Sequence, residues 1–219
     1  FHASPQDAMH SAEEEFLYLA CLHEGTGVKK PDFLAVIDAE HGRVIYETPM
    51  PNVGDELHHF GWNRCSSACH GPDRSHLIVP GFRSSRIHVV DVADNPRRPR
   101  IVKVIEPDEV VRATGYTRPH TVHCMPGDNI VISMLGDADG NGAGGFAVLD
   151  AQTNTVQTSI ALGLAPTGLS INEDGGRLFV DGAEVHFAGP RDALAAGVGM
   201  VHQELAFCDN LSVAENLCL

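Results

Sequence analysis

The stretch GGFAVLDAQTNTVQTSIALG, residues 144–163, contains an apolar run that ends in an aspartate, a polar turn and a second alternating run. Alternation with β-branched residues predicts two strands, and the polar residues between them predict a hairpin turn. The same order occurs in PDFLAVIDAEHGRVIYETPMP (31–51) and SSRIHVVDVADNPRRPRIVKVIEP (84–107). The sequence therefore predicts one hairpin repeated three times, and its turn aspartates are Asp38, Asp91 and Asp150.

A second repeated unit lies between these hairpins. PHTVHCMPGDNIVIS (119–133) and PTGLSINEDGGRLFV (166–180) each read as strand, glycine-rich turn and strand, and CHGPDRSHLIVPG (69–81) resembles the second half. Two hairpins in a period of about 55 residues are typical of four-stranded propeller blades. We therefore predict a mainly β fold, a partial β-propeller of about three four-stranded blades with a short α/β C-terminal segment. A β-sandwich is the alternative.

Composition limits the function classes. The chain has 219 residues, 43% of them hydrophobic and 20% charged, which is ordinary for a globular protein. Its net charge of −14 argues against binding to a phosphate backbone, because there is no surplus of basic residues to displace counterions. No apolar run is long enough for a transmembrane helix. We expect a soluble protein of the periplasm or cytoplasm, and the six cysteines leave the compartment open.

Soft and borderline metal ligands are concentrated in DELHHFGWNRCSSACHG, residues 55–71. In a propeller this segment and PHTVHC would open two successive blades, and innermost strands line the central channel. A regular strand would point only one of His58 and His59 inward, and it would place His120 and His123 on opposite faces unless a bulge intervened. Imidazole binds copper, zinc, iron or nickel, so these histidines predict a metal or redox site.

Alternatives remain for each of these motifs. The histidines could be structural, and the cysteines Cys65, Cys69 and Cys124 could be small buried apolar residues. The C-x₃-C spacing of the first two matches no standard zinc pattern. DADGNG (137–142) matches the start of a calcium loop, but Val148 stands where the final glutamate belongs, so we interpret it as a connection between strands.

Several of these motifs closely resemble the selenium-binding protein family, which includes methanethiol oxidases. They are ELHHFGWNRCSSACHG, SSRIHVVDV, KVIEP, HTVHC and SMLGDADGNGAGGFAVLD, and the resemblance extends from residue 10 to about 150. It implies a β-propeller and a copper-dependent oxidase that converts methanethiol and oxygen to formaldehyde, hydrogen sulfide and hydrogen peroxide. It also implies copper ligands at His58, His59, His120 and His123, with Cys65 and Cys69 as further candidates for metal or selenium. Members are about twice as long, so later blades would be absent and open strand edges would favour self-association.

The C-terminal residues have a different character. VDGAEVHFAGPRDALAAGVGMVHQELAFCDNLSVAENL resembles the ATP-binding subunits of sugar-import ABC transporters, with a helix start at Pro190. That resemblance implies that Gln203 is the Q-loop glutamine. The segment lacks Walker A, Walker B and signature motifs, so ATP binding is not expected. We therefore expect a composite chain, with a truncated propeller at 1–180 and a transporter-like fragment at 181–219.

Three functions follow from these patterns. The first is a copper-dependent thiol oxidase of the methanethiol oxidase type, incomplete and acting on a small thiol and oxygen. The second is a non-catalytic propeller fragment that serves as an interaction scaffold, with structural histidines. The third is a fragment of a sugar-import ATP-binding subunit, resting on Gln203. No catalytic residue is identified by the sequence.

Overall fold

The computed structural model describes residues 10, 13–64, 74–125, 127–161, 178–180, 183–185 and 190–195. The chain divides into two compact units, residues 1–171 and 172–219. The first unit consists mainly of antiparallel sheets, which confirms the predicted β-rich class.

The first sheet has the strand order β1-β2-β3. Its strands are β1 (Phe16–Cys21), β2 (Phe33–Asp38) and β3 (Arg43–Pro49). The core of β2, Leu34–Val36, is buried on both faces of the sheet, as expected for a central strand. Among the described residues this sheet has three strands where four were predicted.

The second and third sheets each have four strands in meander order. The second consists of β4 (Gly61–Trp62), β5 (His76–Pro80), β6 (Ile87–Asp91) and β7 (Arg100–Ile105). The third consists of β8 (Tyr116–Met125), β9 (Asn129–Asp137), β10 (Gly145–Asp150) and β11 (Thr155–Ala161). The DADGNG segment lies in the connection from β9 to β10, as the sequence predicts.

The repeated aspartates have one structural role. Each ends the first strand of a hairpin, β2–β3, β6–β7 or β10–β11, and its carboxylate accepts backbone N–H groups of the following turn. Asp38 accepts from His41 at 3.1 Å, Asp91 from Ala93 at 2.9 Å, and Asp150 from Gln152 at 2.8 Å. These bonds satisfy turn N–H groups that have no strand partner. The aspartates therefore mark equivalent positions in the three sheets.

Two apolar clusters form the core of the first unit. The larger joins the second and third sheets, and its fully buried members include Ile78, Val89, Ile130, Ile132 and Leu149. The smaller joins the first and second sheets around Leu34, Leu57, Leu77 and Val79. Each such side chain contributes about 1.5–3 kcal/mol on burial. Sheet-to-sheet packing therefore fixes where the first strands of successive sheets lie.

A helix that the sequence reading missed follows β7. Helix α1 (Pro107–Thr114) has proline at its first turn and ends at Gly115, whose φ of 75° is left-handed. Proline at the start and glycine after the end are a helix signature that could have revealed it. Val110 is buried in the larger cluster, so α1 covers part of that core.

The second unit has little described structure. Strands β12 (Leu178–Val180) and β13 (Ala183–Val185) form an antiparallel hairpin, and helix α2 (Pro190–Ala195) begins at the predicted proline. Within the described parts of both units, no helix is long and apolar enough to cross a membrane.

Candidate metal centre

Two predicted ligands lie on an irregular segment before β4. Residues 55–60 form only one isolated bridge, Leu57 to Gly81, and Glu56 has a positive φ of 54°. The strict two-residue alternation of a strand therefore does not apply to the segment. For that reason both His58 and His59 reach the same site, whereas a regular strand would point only one of them inward.

The third ligand lies at a bulge on β8. Pro119 is opposite Met134 and Val122 is opposite Ile132, so three residue steps on β8 match two on β9. A bulge of this kind redirects side chains relative to a regular ladder. His120 lies within the bulge.

His58, His59 and His120 form one compact group. A ligand nitrogen from each lies within 4.8 Å of the others. Their ring centroids are 4.3 Å apart for His58–His120, 4.7 Å for His59–His120 and 4.9 Å for His58–His59. Three imidazoles at this spacing are a donor set that copper or zinc accepts, and small adjustments would bring them to ligand distance, about 2 Å from a shared ion.

Thr121 and Phe82 support the group. The Thr121 hydroxyl lies 2.9 Å from Nδ1 of His120 and 3.4 Å from Nδ1 of His59. Hydrogen bonds from the second ring nitrogen fix the orientation of ligating histidines. The ring of Phe82 lies 5.6 Å from that of His58 and 6.1 Å from that of His120, so it forms an apolar wall. Sequence reasoning missed both, although Thr121 directly follows a predicted ligand.

The protonation of His58 suits metal binding. Burial, and then the neighbouring His59, lower the pKa of His58, while Glu56 opposes them. Its Nδ1 is buried and has no hydrogen-bond partner among the described residues. A neutral imidazole with an unsatisfied nitrogen is the form that ligates a metal.

An open groove of about 560 Å³ adjoins the histidines. Apolar side chains of β1 and of the irregular segment form most of its lining, and Glu56 is the acidic residue in it. The lining includes Leu19, Leu22, Leu57, His58, His59 and Phe60.

The other predicted site residues are not in the group. His123 lies three positions further along β8, opposite Val131, and its role as a ligand stays a prediction. Cys65, Cys69 and Gln203 lie outside the described residues, so the predictions made for them also stay open. Cys124 is disulfide-bonded, which corrects its interpretation as a small buried apolar residue.

The fold and the site together define an antiparallel β protein with a three-histidine group able to hold a metal. The chain belongs to the selenium-binding protein family, because the family model described as "56kDa selenium binding protein (SBP56)" matches residues 1–172. The predicted family is therefore confirmed.

Curated relatives carry two kinds of name. A methanethiol oxidase of Xenopus laevis is 50% identical over 164 residues, covering 71% of this chain and 34% of the relative. Selenium-binding protein 1 of Arabidopsis thaliana is 44% identical over 162 residues, covering 70% and 33%. The chain thus spans about a third of the length of the curated relatives it matches.

One solved structure shares the fold of the first unit. It is the X-ray structure of a hypothetical selenium-binding protein from Sulfolobus tokodaii, 47% identical, with a TM-score of 0.67. The likeness covers 73% of this chain and 37% of that one.

Proposed function

We propose that this chain carries part of a copper-dependent thiol oxidase of the methanethiol oxidase type. The observation that carries the proposal is the convergence of His58, His59 and His120. The relatives named methanethiol oxidase supply the reaction class, a small thiol with oxygen as the second substrate. The ABC-transporter interpretation depends on residues outside the described parts and contributes nothing to the proposal.

The donor set fits copper. Imidazole nitrogens bind copper in both common oxidation states, and Nδ1 of His58 has no hydrogen-bond partner among the described residues, so it is available to a metal. Bound copper would supply the redox step that transfers electrons from thiol to oxygen. The protein's own contribution is to orient the rings through the Thr121 hydroxyl and to limit water on the Phe82 side.

The groove fits the apolar part of a thiol. Leu57 and Phe60 lie in its wall directly beside the two histidines of the same segment. A methyl group that enters there would lose contact with water, a gain of about 0.8 kcal/mol per carbon. The sulfur would then face the imidazoles, where copper attracts a soft donor.

Copper binding is the first test. We expect wild-type protein, purified without chelator and reconstituted with copper, to hold near-stoichiometric metal by elemental analysis. The double variant His59→Ala/His120→Ala removes two of three donors, so we expect most of that copper to be lost. The matched control is His41→Ala, which removes an exposed histidine from a hairpin turn. Wild-type occupancy below about a tenth of an equivalent would contradict the proposal.

Thiol-dependent peroxide formation is measured separately from metal content. The chain spans only about a third of its relatives, so copper binding and turnover can dissociate. Retained copper with no peroxide would favour the second function, a non-catalytic scaffold of the same family. A changed melting temperature in the double variant, with no change in metal content, would favour structural histidines.

We further propose that the three sheets are propeller blades. The shared position of Asp38, Asp91 and Asp150 and the contact between β4 and β8 support this arrangement. Contacts between β4 and β8 include Gly61, where an added Cβ would lie 3.0 Å from the Val122 carbonyl oxygen. First strands of neighbouring blades meet in this way around a propeller axis. The division of the chain at residue 180 stays a prediction.

A further inference from the structure

The histidine-bearing segment has little backbone ladder to hold it. Between Asp55 and Phe60 the described pairing is the single bridge from Leu57 to Gly81, and β4 has only two residues. A segment this weakly paired would sample several conformations unless side chains fixed it. The site requires one conformation, because two of its three rings lie here.

The side chain of Asp55 is fully buried and lies at the start of that segment. Its Oδ1 accepts a hydrogen bond from Nη1 of Arg86 at 3.1 Å. Its Oδ2 lies 3.5 Å from Nε2 of His88, a ring that is also fully buried. The Nδ1 of His88 donates to the Val79 carbonyl at 3.1 Å, which fixes the ring against β5. Asp55 is thus hydrogen-bonded to Arg86, which directly precedes β6, and lies against the ring of His88 on β6.

The backbone at Asp55 is tied to the turn between β5 and β6. The Asp55 carbonyl accepts N–H groups of Arg83 at 3.1 Å and Ser84 at 3.5 Å, and the Glu56 carbonyl accepts that of Phe82 at 2.9 Å. Phe82 is the residue whose ring forms the apolar wall of the site. Asp55 therefore acts on both the segment and the wall, and the N–H of Leu57 donates in addition to buried Asp32 at 3.1 Å.

The close approach at this anchor depends on Gly81. A Cβ there would lie 2.6 Å from Oγ of Ser84 and 3.1 Å from Cβ of Asp55. The absence of a side chain lets the turn and the segment pack backbone to backbone. The contact therefore depends on the glycine at position 81 as well as on Asp55.

A buried carboxylate contributes little net stability even when paired, because desolvation offsets the attraction. What it does supply is a single allowed arrangement of the groups around it. We propose that Asp55, held by Arg86 and by the N–H groups of the turn between β5 and β6, is a positioning residue that fixes the directions of His58 and His59 toward His120. This inference rests on the proposed metal-binding function.

The test compares Asp55→Asn with wild type in two measurements. In metal-free protein, NMR should show an NOE between the ring protons of His58 and His120, whose centroids are 4.3 Å apart, and Asp55→Asn should weaken it. With copper added, competition titration should show an affinity about 10–100-fold lower, and the EPR hyperfine pattern should change.

Glu106→Gln is the matched control. Glu106 bonds the same guanidinium, Arg86, at 3.0 Å, but it is more than half exposed and does not touch the segment. It should leave the NOE, the copper affinity and the EPR spectrum unchanged. If Asp55→Asn does not fold, Arg86→Lys serves in its place, because it keeps the charge and loses the fixed geometry.

The outcomes separate the two proposals. Failure of wild-type protein to bind copper overturns the proposed function, while the NOE comparison still tests the positioning role. Wild-type NOE, affinity and EPR spectrum retained in a folded Asp55→Asn or Arg86→Lys variant would overturn the positioning role, even if the melting temperature fell.

Discussion

His88 couples the stability of this fold to pH, although it is not in the candidate site. Its ring is fully buried between Val79 and Asp55. Burial lowers the pKa of His88, while Asp55, the Val79 carbonyl and Glu106 act in the opposite direction and Arg86 acts with burial. The net result is a histidine that takes up a proton less readily in the folded protein than in the unfolded chain.

The first prediction concerns stability between pH 8 and pH 5. The histidine pKa in the unfolded chain is about 6.5. As pH decreases below that value the unfolded chain takes up more protons than the folded one, so the free energy of unfolding should decrease as pH is lowered. We expect His88→Gln to flatten that slope, as measured by urea unfolding at several pH values. Thr114→Ala is the control, because it removes a buried hydrogen bond without a titratable group. An unchanged slope in His88→Gln would contradict the prediction.

At the same scale, the sequence indicated the ligand types but not their supports. The motifs LHHF and PHTVHC pointed to His58, His59 and His120 through residue type and blade position. Asp55 escaped notice because a lone aspartate before an apolar residue has no distinctive pattern. Its role depends on Arg86 and His88, which approach it only after the sheet folds.

At the scale of elements, the hairpin turn is the unit that the sequence predicts best. Turn N–H groups hold the pKa of Asp38 and Asp150 below its ordinary value, through His41 in the first case and Thr153 in the second. At Asp91 burial acts in the opposite direction, but N–H groups of Asp94 and Ala93 prevail. Local hydrogen bonds need no tertiary information, which is why these turns were predictable.

The second prediction concerns acid stability. A lowered folded pKa means that these aspartates contribute stability above the unfolded value of about 3.9, and that this stability is lost as pH falls through the folded pKa. The triple variant Asp38→Asn/Asp91→Asn/Asp150→Asn keeps an acceptor oxygen at each turn but has no charge. We expect its melting temperature to change less than that of wild type between pH 5 and pH 2.5. If melting temperature depends on pH in the same way in wild type and in the triple variant, the turn charges do not contribute to acid stability.

Other elements could not be predicted, because their conformations depend on contacts between strands that are distant in sequence. The bulge at His120 appears only when β8 is aligned with β9, where Pro119 and Val122 face Met134 and Ile132. The irregular path of residues 55–60 depends on the turn at Gly81 and on buried Asp55. Sequence alternation alone therefore placed both histidines on a strand that does not form there.

At the scale of the whole molecule, the first sheet differs from the other two. The repeated aspartates make β1 equivalent to β5 and β9, which pair on both sides. Within the described residues β1 pairs only with β2. Leu19 of this strand lines the groove beside His58, and Leu17 and Leu19 are half exposed.

The last prediction is that this chain self-associates through the free edge of β1. A strand edge with exposed leucines is a template for another strand, since its N–H and C=O groups have no strand partner on that side among the described residues. We expect sedimentation velocity to show a concentration-dependent shift toward dimers, and Leu19→Lys to suppress it, because a charged residue on an edge strand opposes pairing. Val53→Lys, an equally drastic change at an exposed turn, should leave the association intact. A wild-type chain that stays monomeric at all concentrations would contradict the predicted association, and a Leu19→Lys variant that dimerises as well as wild type would show that it does not use the edge of β1.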